Sequence, residues 1–164
     1  MRVEDYRRKT RIERDEEEVG LPFVSITRLR VRAWRFLPEF LWRAFASRRQ
    51  AQRSAGFVQG VVTTAPGRAF WTATVWSDEA SMRRFRDTAA HKATMPRLLD
   101  MCDEAAVAHW MQDDDRLPEP AEMLERVRSI GRLSKVRHPS PGHTTGSTVP
   151  DGQPPRATPP FRPR

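Results

Sequence analysis

Apolar and polar positions along the chain change period several times, and each change marks an element. Residues 22–31, PFVSITRLRV, alternate Val, Ile and Thr with polar groups, which predicts a strand. From Phe36 to about Ser54 the apolar residues Phe36, Leu37, Phe40, Leu41, Ala44 and Phe45 recur at three and four. That spacing predicts a helix with those residues inward and Arg43, Arg48, Arg49 and Arg53 on its other faces. Gly56 ends it. Alternation returns over 56–64 and 69–76, two strands joined around Pro66-Gly67 as a hairpin. Ser77 is read as an N-cap, with Asp78 and Glu79 where the helix dipole favours acid. This second helix runs through Met82, Phe85 and Ala89. Pro96 is expected to interrupt it by pushing Met95 out of helical angles, with one further turn over 97–102. Residues 105–112 predict a last strand, and 121–130 a short final helix after Pro118 and Pro120.

The resulting order, βαββαβ plus a C-terminal helix, predicts an α+β, ferredoxin-like domain over residues 21–135. Residues 1–20 carry six basic and seven acidic side chains with almost nothing to bury, which reads as a charged arm. Residues 136–164 are rich in proline and poor in apolar side chains. Too little apolar surface to offset the entropy of ordering predicts a disordered tail.

Composition narrows the class. The 164 residues have a net charge of +8, and the only lysines are Lys9, Lys92 and Lys135, so arginine dominates the basic side. The charge is local: eight arginines and one acid, Glu39, fall between residues 28 and 53. A single cysteine, Cys102, excludes an intramolecular disulfide framework and a multi-cysteine zinc site. Its acidic neighbours Asp103 and Glu104 argue against a thiolate nucleophile. Asp113 to Asp115 read as a solvated turn. With neither a long apolar run nor a signal-like start, a soluble, cytoplasmic protein is expected.

Both faces of the last two predicted core strands are apolar. Phe70, Thr72, Thr74 and Trp76 alternate with Trp71, Ala73 and Val75, and Ala106, Ala108 and Trp110 with Val107, His109 and Met111. Helices cover one face of such a sheet. The other would expose a large patch, so packing against a second copy in a homodimer is expected.

The stretch FWTATVWSDEASMRRF, followed by His91 and preceded by Gly56-Phe57, resembles the antibiotic-biosynthesis-monooxygenase-like proteins, in particular a branch related to spheroidene monooxygenase. The resemblance spans about residues 22–112. It implies a dimeric α/β barrel of two sheets, a hydrophobic pocket between sheet and helices, and oxidation of a bulky apolar small molecule. Some members of the family work without a cofactor, whereas others bind haem through a helix histidine. Two arrangements are incomplete here. Cofactor-free quinone-forming members carry an asparagine where this chain has Thr72, and haem-degrading members need a first-strand asparagine. This chain has no asparagine, and its one tyrosine is Tyr6, outside the core.

On that resemblance the pocket is expected to be lined by Trp71, Thr72, Trp76, Met82, Phe85 and His109, with His91 as catalytic base or axial haem ligand. The plainer readings stand beside it: the tryptophans as core or interface, His91 packed at a helix break, His109 as an ordinary strand residue. A non-catalytic dimeric binding or structural module is the alternative function. An RNA-recognition module shares the βαββαβ order, but Arg68-Ala69-Phe70-Trp71-Thr72-Ala73 lacks its aromatic spacing, so nucleic acid is not expected.

Overall fold

The computed structural model describes residues 20–164; the charged arm, save Gly20, lies outside the described residues. Strand β1 (Phe23–Val31) leads through a 3₁₀ turn (Trp34–Phe36) into helix α1 (Leu37–Gln52). The hairpin of β2 (Phe57–Ala65) and β3 (Ala69–Trp76) follows. Helices α2 (Glu79–Arg86) and α3 (Ala89–Met101) then lead to β4 (Cys102–Met111). Beyond it come α4 (Pro120–Ile130), the two-residue strand β5 (Arg132–Leu133) and a one-turn helix α5 (Pro141–Thr144).

The strands form one antiparallel sheet in the order β2-β3-β1-β4-β5. This is the ferredoxin-like α+β arrangement with β5 added at one edge. Among the described residues the sheet is open and closes no barrel. In the hairpin turn Gly67 and Arg68 both take positive φ, as the expected turn at Pro66-Gly67 requires. Gly56 is also left-handed, and a Cβ there would collide with the Ser81 hydroxyl, so only glycine fits.

Three details differ from the sequence pattern. Asp78, not Ser77, is the N-cap of α2: its carboxylate accepts the Ser81 N–H at 2.7 Å. Pro96 sits inside α3 and does not end it. The break falls earlier, at Asp87 and Thr88, where the Thr88 hydroxyl donates to the Arg84 carbonyl at 2.7 Å and so closes the end of α2. In α1, Phe40 and Ala51 point inward, while Leu41, Trp42 (67% exposed) and Phe45 (57% exposed) face away from the core. Their stripe lies one step round the helix from the one that packs.

The two faces of the sheet carry separate cores. One face holds Phe23, Trp76, Val31 and Cys102 beneath α1, α2 and α3. The opposite face holds Ile26, Val61, Trp71, Ala73, Ala106 and Ala108, and is covered by Met123 and Val127 of α4 together with Val149. This chain's own C-terminal segments therefore meet the need for cover that suggested a second copy. They also lie over the sheet surface that an RNA-recognition module would use.

Residues 136–164 are not a disordered tail. They cross the α4 side of the sheet and then follow the free edge of β2. The Arg156 N–H donates to the Thr64 carbonyl at 2.9 Å, and Phe161 exchanges backbone hydrogen bonds of 2.7 and 3.0 Å with Gly60. Proline removes donors and restricts the unfolded chain, so an extended strap can dock through a few anchors without a core of its own.

Candidate functional site

Between the sheet and helices α1 to α3 lies a cavity of about 490 Å³, in the size range of small-molecule sites. Strand alternation puts Ser25, Thr27, Thr72 and Thr74 on its floor as a small polar strip, while Phe40, Val62, Met82 and Phe85 supply apolar surface. Both core histidines, His91 and His109, line the cavity, as does Phe161 from the C-terminal strap.

Thr72, Met82, Phe85, His91 and His109 are thus brought together as expected. Trp71 is not. It is fully buried on the opposite face, beside Arg28 and against the α4 core. Consecutive strand residues point to opposite faces, so Trp71 and Thr72 cannot line one pocket. Trp76 lies behind the wall instead of on it. Its ring packs 5.0 Å from Phe85 and its indole N–H donates to the Thr74 hydroxyl at 2.9 Å, steadying two residues that do line the cavity.

His91 is positioned by groups that sequence pattern did not single out. The Gln50 amide NH₂ donates to the Phe85 and Thr88 carbonyls at 2.9 and 3.0 Å, and its oxygen accepts the His91 N–H at 2.7 Å. One α1 side chain thereby joins the end of α2 to the start of α3. The His91 ring lies 4.6 Å from Phe85, and its Nδ1 lies 3.1 Å from the Arg86 carbonyl. A carbonyl only accepts, so Nδ1 carries the proton and, in the neutral ring, Nε2 keeps its lone pair.

Burial is the main force holding the His91 pKa below its ordinary 6.5. The Arg86 charge adds to this, while the Arg86 carbonyl bond and Asp87 oppose it. His109 is lowered as well, by burial first and then by the charges of Arg132 and Arg86. Each imidazole binds a proton more weakly folded than unfolded. Below about pH 6.5 the unfolded chain therefore takes up more protons, and stability falls with pH. Denaturation midpoints should drop between about pH 7 and 5, and His91→Gln should flatten part of that slope. An unchanged slope in His91→Gln would show that the ring is not held neutral.

The Cys102 thiol, buried beneath α1, is pushed up to about 12 by burial and by Asp103, which removes it as a nucleophile. Among the described residues no cluster of three or more His, Cys, Asp or Glu could hold a metal ion. Haem asks less of the protein, a single axial donor. His91 fits that donor chemistry, with Nδ1–H anchored to a carbonyl and Nε2 unprotonated. Nor is any helix among the described residues long and apolar enough to cross a membrane.

No family model matches the chain, and no curated protein is similar to it in sequence. Several solved structures share its fold. SnoaB, a cofactor-independent oxygenase from Streptomyces nogalater, in a point-mutant form, aligns with a TM-score of 0.50 at 17% identity, covering 61% of this chain and 100% of SnoaB. A conserved protein of Methanosarcina mazei Go1 aligns at 0.51 and 15%, covering 59% and 98% of the two chains. A protein of Nitrosomonas europaea, provisionally assigned as an antibiotic biosynthesis monooxygenase, aligns at 0.51 and 14%, covering 57% and 91%. The chain has the α+β fold of antibiotic-biosynthesis-monooxygenase-like proteins. At these identities the likeness concerns architecture, and chemistry has to be argued from the site.

Proposed function

We propose that this protein is a monooxygenase-like enzyme that oxidises a mainly apolar small molecule inside the cavity between sheet and helices. The observation that carries the reading is His91: it lines a largely apolar cavity, with its backbone N–H held by Gln50 and its Nδ1 on the Arg86 carbonyl, which leaves Nε2 as the unprotonated nitrogen of the neutral ring. Such a group can take a proton from an acidic C–H or O–H of a bound substrate, leaving the electron pair for oxygen. In the polar strip the Thr72 hydroxyl can donate to a substrate oxygen, while that of Thr74 is taken up by the Ser25 carbonyl and the Trp76 indole. The fold shared with an oxygenase supports the same class of reaction. The finer resemblance to the spheroidene monooxygenase branch belongs to this proposal too. If haem is the cofactor, His91 would hold it and the haem would supply oxygen activation.

Oxygen uptake with dithranol, an apolar three-ring compound with an acidic methylene, tests the reading. Uptake should exceed the spontaneous rate, with or without added haemin, and His91→Gln should lower it by about a hundredfold or more. Uptake at the spontaneous rate in both conditions would remove the enzymatic reading. Haemin alone should give a Soret shift that His91→Ala abolishes; no shift, or one unchanged in that variant, would remove the haem form. A second reading, ligand binding without turnover, is favoured by the absence of asparagine and of a core tyrosine. Bound dithranol without oxygen uptake would support it.

A further inference from the structure

The charges around the cavity are one-sided. Among the described residues Arg48, Arg86, Arg132 and Lys135 line it, and no aspartate or glutamate does. Arg86 is matched by Asp87, through bonds of 2.7 and 3.0 Å. Arg48, Arg132 and Lys135 make no ion pair among the described residues. Away from the cavity the arginines divide: Arg28, Arg30, Arg43, Arg83, Arg97, Arg116 and Arg137 pair with carboxylates, while others, such as Arg35, Arg53 and Arg128, make no ion pair among the described residues. What sets the cavity apart is that its cations face no lining carboxylate among the described residues. Arg48, Arg132 and Lys135 are exposed residues that also line it, so their charged ends belong to its mouth while Phe40, Met82 and Phe85 form its interior.

We propose that the cavity's ligand is an organic anion, an apolar ring body that enters first with a carboxylate or similar acidic group left at the Arg132 and Lys135 rim. The inference rests on the reading that the cavity is the ligand site. Unscreened cations beside a low-dielectric cleft concentrate positive potential at its mouth, drawing anions and orienting them. The placement of Arg132 fits this role. Its strand pairs it with Val107, so both side chains lie on the cavity face of the sheet. The pKa of His109 is lowered by burial first, and the charges of Arg132 and Arg86 add to that lowering. A guanidinium also matches a carboxylate through two parallel hydrogen bonds, which fixes ligand orientation relative to His91.

Two fluorescent probes with one ring body separate the cavity from its charge preference: neutral phenylnaphthylamine and anionic anilinonaphthalene sulfonate. Both should bind, and Ala44→Trp, which fills the cavity, should abolish both. The sulfonate should bind about three- to tenfold more tightly at low salt, the effect of one or two exposed ion pairs. That advantage should vanish in the double variant Arg132→Gln/Lys135→Gln while the neutral probe is unaffected. If the neutral probe binds and the sulfonate binds no more tightly, the anion inference is overturned and the cavity reading survives. An advantage that persists in the double variant overturns it as well. If neither probe binds, the cavity reading itself fails. Haemin is also an apolar anion, and a His91-dependent Soret band, weakened in the double variant, would identify haem rather than a free organic acid as the occupant.

Discussion

Arg28→Ala is expected to destabilise the fold by about 3–5 kcal/mol, the cost of leaving a buried charge without its partner. Arg28 sits in the middle of β1 with its side chain fully buried on the α4 side of the sheet. One guanidinium nitrogen donates to Glu104 at 2.6 Å and the other to Asp151 at 3.2 Å. Glu104 also accepts the Ser140 hydroxyl at 2.9 Å and lies 3.3 Å from Arg30, which pairs in bidentate fashion with Asp103 at 2.7 and 2.9 Å. Truncating Arg28 would strand the buried Glu104 carboxylate and release Asp151, which ties the C-terminal segment to β1. Urea denaturation of Arg28→Ala, Glu104→Ala and the double variant would measure the coupling. Single losses that simply add, each below about 1 kcal/mol, would show that the network does not hold the segment.

The same network shows why only part of this structure was legible in the sequence. Arg28, Arg30 and Arg32 alternate, which places Arg28 and Arg30 on one strand face, and the structure agrees. Nothing in that alternation says that Arg28 is buried, because its partners lie 76 and 123 residues away. The sequence shows only that the positive charge is concentrated between residues 28 and 53. Much of it is structural: Arg28, Arg30 and Arg43 hold carboxylates, while Arg32, Arg35, Arg48 and Arg49 lie over aromatic rings.

The elements themselves were readable because each is encoded locally. Two-residue alternation in β1 and β3, the turn at Gly67 and the acidic start of α2 need no distant partner. Within the site, alternation also settles the faces, and applying it strictly separates Trp71 from Thr72. Longer-range facts escape it. Gln50 has no pattern that marks it as the bond between two helices, and the rim residues Arg132 and Lys135 become neighbours of His109 only because β5 adds to the sheet edge. The C-terminal segment shows the same limit: counting apolar residues misses a strap that needs only a few well-placed anchors.

The second large effect tests that strap. Phe161→Ala is expected to cost about 3 kcal/mol or more, as for other large aromatic truncations in a core. The Phe161 ring is 6% exposed, stacks on Phe57 at 5.4 Å and carries Arg48 over its face at 4.6 Å. Its place depends on Gly60, because a Cβ there would meet the ring at 2.7 Å. Gly60→Val should therefore reproduce much of the loss from the other side of the contact. Neighbouring residues make the strap cooperative: the Gln52 side-chain amide donates to the Arg162 carbonyl at 2.9 Å, and the Arg164 N–H to the Gln52 carbonyl at 3.0 Å. Phe161 also lines the cavity, so its loss should widen the site and weaken binding of the neutral naphthylamine probe. A stability change below about 1 kcal/mol, with probe affinity unchanged, would mean that the strap does not rest on the β2 edge in solution. Loss of both together would make the C-terminal segment a wall of the functional site as well as a brace for the sheet.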